Sequence, residues 1–266
     1  MTDAWTTRSP RPVVTVPEQP EPTLSVVLVT YGTGRILIDG ISALVDSLAA
    51  SRTRYEVVVV DNEHPDRPDR ARVHLLLDTA GVRVVRPRVN LGFGGGCNLG
   101  VERARGSTIC LLNPDVSVGG DWLAPLLTAI DDGAAIAAPV LLNADGTVQS
   151  AGHHLFADAS TAPIAAAPTT LGRPDYASAA CWVLSRATYD ACAGFDTAFF
   201  PAYYEDVDFA LRARAHGGTV VVGASRVTHR HGASTSTDIV PDTTPQRERL
   251  RGKWPDLLDT QPTPPA

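Results

Sequence analysis

The sequence predicts an α/β fold in which a mostly parallel sheet carries helices on both faces. Two observations predict it. Short β-branched runs alternate with stretches of helical apolar spacing through the first half of the chain, the pattern of successive βα units. At 266 residues, with 44% hydrophobic side chains, the chain is long enough to bury a sizeable core as one large domain or two small ones.

The elements follow in order. Residues 1–22 are rich in Pro, Thr and charge and read as a disordered leader, lacking the apolar segment of a signal peptide. Residues 24–29 form a β-branched run, the mark of a buried strand. A helix follows, with Ile38, Ile41, Val45 and Leu48 on one face. Four valines at 57–60 make a second strand. Residues 69–79 suit a helix closed by Gly81, and 82–85 a third strand. A glycine-rich loop at 92–96 opens a helix to about Arg105, with Gly106 as its C-terminal cap. Residues 108–112 are the fourth strand. Asp121 is placed to N-cap a helix that buries Trp122, Leu123, Leu126, Leu127 and Ile130.

The second half is less regular. Residues 157–170 are rich in Ala, Thr and Pro and read as a mobile loop. An apolar stretch at 179–184 precedes a short helix at 187–193, stopped by Gly194. A second helix spans 205–216, with Val207, Ala210 and Leu211 on one face and Gly217 as its stop. Residues 219–222 form a strand. The tail from Ser234 is polar, and its helical stretch ends before Pro255.

Composition excludes several classes. The net charge is −6, which disfavours nucleic-acid binding, a function that needs a Lys/Arg surplus. Lys253 is the only lysine. Cys97, Cys110, Cys181 and Cys192 form no C-x-x-C pair and read as core fillers in a reducing compartment. The longest apolar stretches, such as 134–142, fall far short of the roughly 18 residues of a membrane span. A cytoplasmic protein is expected, with peripheral contact at the inner face of the cell membrane left open. No Gly-x-Ser-x-Gly elbow is present. The loop at 90–98 lacks the third glycine of the dinucleotide fingerprint, where Cys97 stands, and has no Walker lysine.

Ligands in such sheets bind beyond the carboxyl ends of the strands. That rule selects Thr30-Tyr31, Asp61-Asn62 and Asn113-Pro114-Asp115. Asp61 can read the edge of a base or cap a helix. Asn113-Pro114-Asp115 can end in a hard oxygen ligand for a divalent cation or form an ordinary turn. Glu205, Asp206 and Asp208 crowd one helical turn, where they complement the helix dipole or yield a carboxylate with raised pKa that works as a base. His229 follows the last strand as a metal ligand or as a surface histidine. The 92–96 segment is an anion site at a helix N-terminus or a plain tight turn.

Taken in this order, the motifs Val29-Thr30-Tyr31, Val60-Asp61-Asn62, Asn90-Leu91-Gly92-Phe93-Gly94 with Cys97-Asn98, Leu112-Asn113-Pro114-Asp115, Tyr204-Glu205-Asp206-Val207-Asp208 and His229 with Gly232-Ala233-Ser234 resemble the inverting family 2 glycosyltransferases of GT-A fold, in particular the rhamnosyltransferase-like branch. The resemblance covers about residues 24–234. It implies a Rossmann-like sheet in one GT-A domain over 23–234. Residues 23–118 would be the nucleotide-binding half and 119–234 the acceptor half, followed by a tail over 235–266.

The resemblance also implies roles. Thr30, Tyr31 and Asp61 would line the nucleotide pocket. Asn90, Gly92, Phe93, Gly94 and Asn113 would contact the nucleotide-sugar. Asp115 and His229 would hold Mg²⁺ or Mn²⁺. Asp206 would be the general base, with Glu205 orienting it or the acceptor. The donor would be a nucleoside-diphosphate sugar, first of all dTDP-L-rhamnose, with a UDP-sugar such as UDP-galactofuranose as the alternative. The acceptor would be a glycan, a lipid-linked glycan or a small molecule. Asn113 departs from the acid at the first D-x-D position. It keeps open a non-catalytic nucleotide-sugar-binding protein or partner subunit, and a homodimer is left open as well. A nucleotidyltransferase would need more basic residues than Arg35 in the first strand–helix turn.

Overall fold

The computed structural model describes residues 15–32, 34–49, 51–62, 81–230 and 242–265. In chain order, the first half contains β1 (Leu24–Thr30), α1 (Gly34–Ala49), β2 (Tyr55–Asp61), β3 (Arg83–Val85), α2 (Gly92–Arg103), β4 (Thr108–Leu112), β5 (Val116–Ser117) and α3 (Ala124–Asp131). There follow β6 (Ile136–Leu142), β7 (Val148–Ser150), β8 (His153–Leu155), β9 (Thr161–Pro163), β10 (Leu171–Gly172), β11 (Cys181–Ser185), α4 (Arg186–Ala191), α5 (Glu205–Ala213), β12 (Thr219–His229), α6 (Thr244–Lys253) and α7 (Pro255–Leu258). The helix expected over 69–79 lies outside the described residues.

The main sheet runs β10-β12-β6-β11-β4-β1-β2-β3. Its first half, β3-β2-β1-β4, is parallel throughout. β11 enters antiparallel between β4 and β6, and β12 returns parallel to β6. The result is a mixed, mostly parallel α/β sheet. Its strand residues alternate between two cores. Val26, Leu28, Val57 and Val59 pack with Leu37, Ile41, Leu44 and Leu48 of α1 on one face. Val27, Val58, Ile109 and Leu111 pack with Cys97, Val101, Phe209 and Leu211 on the other. All four cysteines are free and buried, as their spacing led us to expect.

Several expected elements are corrected. The glycine-rich segment is the first turn of α2 rather than a loop, because close packing on the sheet compensates for low helix propensity. That helix ends at Ala104, not Gly106, where the Arg186 guanidinium donates to the carbonyls of Val101, Ala104 and Gly106. Asp121 is exposed and caps nothing; α3 begins at Ala124, while Trp122 and Leu123 are still buried just ahead of it. Residues 157–170 are not loop throughout: β9 lies within them and pairs with β8, and β10 just beyond them pairs with β12. β12 runs to His229 rather than stopping at 222, because an irregularity between Val222 and Arg226 lets the pairing with β6 resume. A strand forms at 136–142, and α7 begins at Pro255. Leu250 and Leu258 of the two last helices are buried. Of the expected leader, residues 1–14 lie outside the described residues; Val16 is packed into the core.

The helix α2 approaches the sheet as closely as its glycines allow. A Cβ on Gly96 would lie 2.6 Å from Val29 Cγ1, and one on Gly100 only 2.4 Å from Val27 Cγ1. Gly100→Ala is therefore expected to destabilise by about 1–3 kcal/mol, the usual cost of overpacking. Urea unfolding should show a lower midpoint with an unchanged slope.

Candidate active site

The carboxyl ends of β1, β2 and β4 lie side by side with the start of β11 and the end of β12. This edge gathers the strand-end residues. Thr30 and Asp61 are buried there in register with each other, and Tyr31 stands exposed beside them. Asn113 donates its N–H to Ala180 O and accepts from Val116 N, closing the turn before β5.

Asp115 and His229 meet through the β5–β12 ladder, in which His229 is opposite Val116 and Arg230 N donates to Asp115 O. Both side chains are buried, and His229 Nε2 is 3.4 Å from Asp115 Oδ1. One hard oxygen and one imidazole nitrogen, converging from two strand ends, fit a divalent cation that takes its other ligands from substrate phosphates. Among the described residues no group of three His, Cys, Asp or Glu side chains forms a complete metal cage.

The residues at 90–94 are tied to the other side of the site. Asn90 Oδ1 accepts from Gly92 N, and Phe93 N donates to Pro201 O. The first amides of α2 are thus spent within the protein, which removes the open anion cradle expected at this helix start. Gly92 has a φ of +71°, and a Cβ there would meet Pro201 O at 2.5 Å. Gly94 lies against Phe195 and Glu205, and the Phe93 ring meets Phe195 edge-on. Asn62, to which sequence reasoning gave no task, joins the two walls: its side chain donates to Gly92 O and accepts from Leu91 N.

The helix α5 begins after two residues in left-handed conformation, Tyr203 (φ 77°) and Tyr204 (φ 70°). Non-glycine residues rarely adopt that region, and strain of this kind gathers at functional sites. The Tyr204 hydroxyl donates to Ala159 O, anchoring the turn to the hairpin that precedes it. The two carboxyls that follow differ. Glu205 is buried, and Oε2 has no hydrogen-bond partner among the described residues. Burial pushes its pKa well up, and the neighbouring Asp206 charge pushes it further. Asp206 is half-buried, and burial lifts its pKa to about 6 against the pull of N–H donors from Ala179 and Val207. Asp206 is thus the member of the pair that ionises first. Through Ala179 and Ala180 it lies next to Asn113, on the same edge as Asp115.

Asp208 does not join them. It is fully buried on the opposite side of the helix, bonded to Arg212, Lys253 and Trp254 Nε1. The only lysine of the chain therefore neutralises a structural acid.

The family model for glycosyl transferase family 2 matches residues 25–190. A curated relative, the uncharacterized protein y4gI of Sinorhizobium fredii, is 26% identical over 254 residues, which is 88% of this chain and 27% of the relative. Among solved structures, GalNAc-T7 with UDP, GalNAc and Mn²⁺ superposes with a TM-score of 0.73 at 16% identity, over 90% of this chain and 50% of that one. S. aureus TarS 1–349 in complex with UDP-GlcNAc gives 0.62 at 17% identity, over 86% and 65%. The chain thus spans about a quarter of the curated relative and half to two thirds of these structures. The shared architecture is the GT-A fold.

The raised pKa of Asp206 links to stability. A carboxyl whose folded pKa lies above its unfolded value binds its proton more tightly when folded. Its ionisation therefore costs nothing below the ordinary carboxylate range, progressively more as pH rises toward about 6, and the full amount above that. Asp206→Asn is expected to raise Tm at about pH 8 and to give no gain at about pH 4. Calorimetric melts at the two pH values read the difference.

Proposed function

The chain belongs to glycosyl transferase family 2, and we propose that it is a metal-dependent inverting enzyme that moves a sugar from a nucleoside-diphosphate sugar to an acceptor hydroxyl. One observation carries this reading: the backbone link from Asp206 through Ala179 and Ala180 to Asn113 sets a carboxylate of pKa about 6 on the same edge as the Asp115–His229 pair. A base poised near neutral pH beside a cation site is what direct displacement on a nucleotide-sugar needs.

In this reading Asp206 takes the proton from the acceptor hydroxyl. The acceptor oxygen attacks the anomeric carbon from the face opposite the nucleoside diphosphate, and the bond to the diphosphate oxygen breaks. One displacement inverts the anomeric configuration. Glu205, held neutral by burial beside Asp206, leaves the negative charge on the base. Tyr176 and Tyr204, whose pKa values burial raises, stay neutral around it. Asp115 and His229 would hold Mg²⁺ or Mn²⁺, which supplies charge neutralisation to the departing diphosphate when bound. Thr30, Tyr31 and Asp61 line the nucleotide side. Asn90, Gly92, Phe93 and Gly94 fix the wall between donor and base. The exposed Phe200 and Tyr203, flanking the base, offer aromatic faces to the acceptor.

For the donor, Asn113-Pro114-Asp115 favours dTDP-L-rhamnose through the rhamnosyltransferase-like resemblance, with UDP-sugars as the second candidates. A thermal-shift series of nucleotide-sugars with Mg²⁺ separates them, since stabilisation follows occupancy.

Nucleoside diphosphate release, measured with donor and candidate acceptors, tests the reaction. Asp206→Asn should lower kcat by about 10²–10⁴-fold with donor binding retained. In the wild type, kcat/KM should fall as pH drops below about 6. Near-normal turnover in the variant would remove Asp206 from the base role. Asp115→Ala should abolish the metal dependence of donor binding. Equal donor affinity of the wild type with and without Mg²⁺ or Mn²⁺, read by calorimetry, would refute the metal assignment.

A further inference from the structure

The hairpin between β6 and β7 ends beside His229, and its side chains form an unbroken hydrogen-bonded series. Asp145 stands at its outer end, where hydrogen bonds from the Thr147 hydroxyl and amide hold its carboxyl below the usual range. An ionised carboxylate only accepts. The Thr147 hydroxyl therefore spends its proton on Asp145 Oδ1, at 2.6 Å. Its oxygen is left to accept from Asn143 Nδ2 at 2.9 Å. That orients the Asn143 amide, whose Oδ1 accepts from Gln149 Nε2 at 3.2 Å.

Gln149 is fixed a second time, independently. The same Nε2 donates to the backbone carbonyl of His229 at 3.1 Å, an atom that only accepts. Both donors of the Gln149 amide are thereby used, and Oε1 is the atom that faces His229 Nδ1 at 2.7 Å. An amide oxygen cannot donate. Nδ1 must carry the hydrogen, and in the neutral imidazole this puts the lone pair on Nε2, on the side of Asp115, 3.4 Å away.

We propose that the 143–149 hairpin is a positioning device for His229: Gln149, oriented by Asn143 and by the His229 carbonyl, holds the imidazole in the Nδ1–H tautomer so that Nε2 and the Asp115 carboxylate are presented together to a divalent cation. The inference rests on the reading of Asp115 and His229 as a metal site and assigns the partner that fixes the tautomer. Outer partners of this kind orient a metal-binding imidazole and raise its basicity. Gln149 is a positioning residue, since it reaches the cation site through His229 alone.

Two measurements test it. Long-range proton–nitrogen NMR of the metal-free wild type, recorded at a pH where the His229 imidazole is neutral, should show it protonated on Nδ1; an Nε2–H imidazole would overturn the inference whatever the protein binds. Mn²⁺ is then titrated in the presence of UDP or dTDP, whichever stabilises the wild type, and followed by the paramagnetic signal of the free ion. Gln149→Leu should weaken Mn²⁺ binding by about 10–100-fold, the usual effect of losing such a partner, and the fixed Nδ1–H tautomer should be lost. The tautomer of His229 is a readout that a merely structural role of Gln149 would not move. Unchanged Mn²⁺ binding in Gln149→Leu would overturn the inference. No Mn²⁺ binding by the wild type would instead overturn the metal reading, and with it the purpose assigned to the hairpin.

Discussion

The site depends on how closely the glycine-rich helix lies against the sheet. Where Gly96 and Gly100 face β1, the side chains of Val29 and Val27 occupy the space a Cβ would need. Interiors are packed too densely to absorb such an intrusion without movement. The contact fixes the start of α2 relative to the strand ends. Asn62 then latches that start by bonding both Leu91 and Gly92. From there the constraint passes outward: Phe93 N holds Pro201 O, and Gly94 lies against Phe195 and Glu205. The turn into α5 is thus referred to the sheet through a helix that has no room to slide. Asn98 reinforces the link by bonding the Tyr189 hydroxyl and both backbone polar atoms of Phe195.

The excess of acid divides along the same lines. Glu56 is buried beside Arg83, and Arg105 and Ser25 lower its pKa against the effect of burial. Asp208 is buried and held by Arg212, Lys253 and Trp254. These carboxylates brace the fold, one tying β1 and β2 to the end of α2, the other tying the last helices to α5. Glu205 and Asp206 receive no cation among the described contacts, and burial acts on them without that offset. Two acids two positions apart, Asp206 and Asp208, take opposite tasks because their surroundings differ, not their chemistry.

Much of the first half was legible in the sequence. Parallel strands buried on both faces leave continuous apolar runs, and these located β1, β2 and β4 closely. The strand ends then pointed to Thr30, Asp61, Asn113 and Asp115, because ligand sites in such sheets follow topology. What escaped was set by tertiary contact. The glycines of α2 contradict helix propensity locally and are explained only by the sheet beneath them. The strands of two or three residues between 148 and 172 are too short to show a period. Asn62, Gln149 and Lys253 gain their tasks from partners about 30 to 80 positions away, as in the Gln149–His229 pair. Spacing along the chain carries no trace of such contacts.

The raised pKa of Asp206 is the outcome of two opposed effects. Burial favours the protonated form, while the N–H groups of Ala179 and Val207 favour the carboxylate. Burial without those donors, with the Asp206 charge beside it, produces the state of its neighbour Glu205, whose pKa is raised well above its ordinary value. Full exposure would return a carboxylate too weak to take a proton from a hydroxyl at a useful rate. The left-handed turn at Tyr203 and Tyr204 leads directly into α5, where Glu205 and Asp208 are buried and Asp206 is half-buried. The strain of two consecutive left-handed tyrosines thus lies next to the carboxyl proposed as the base.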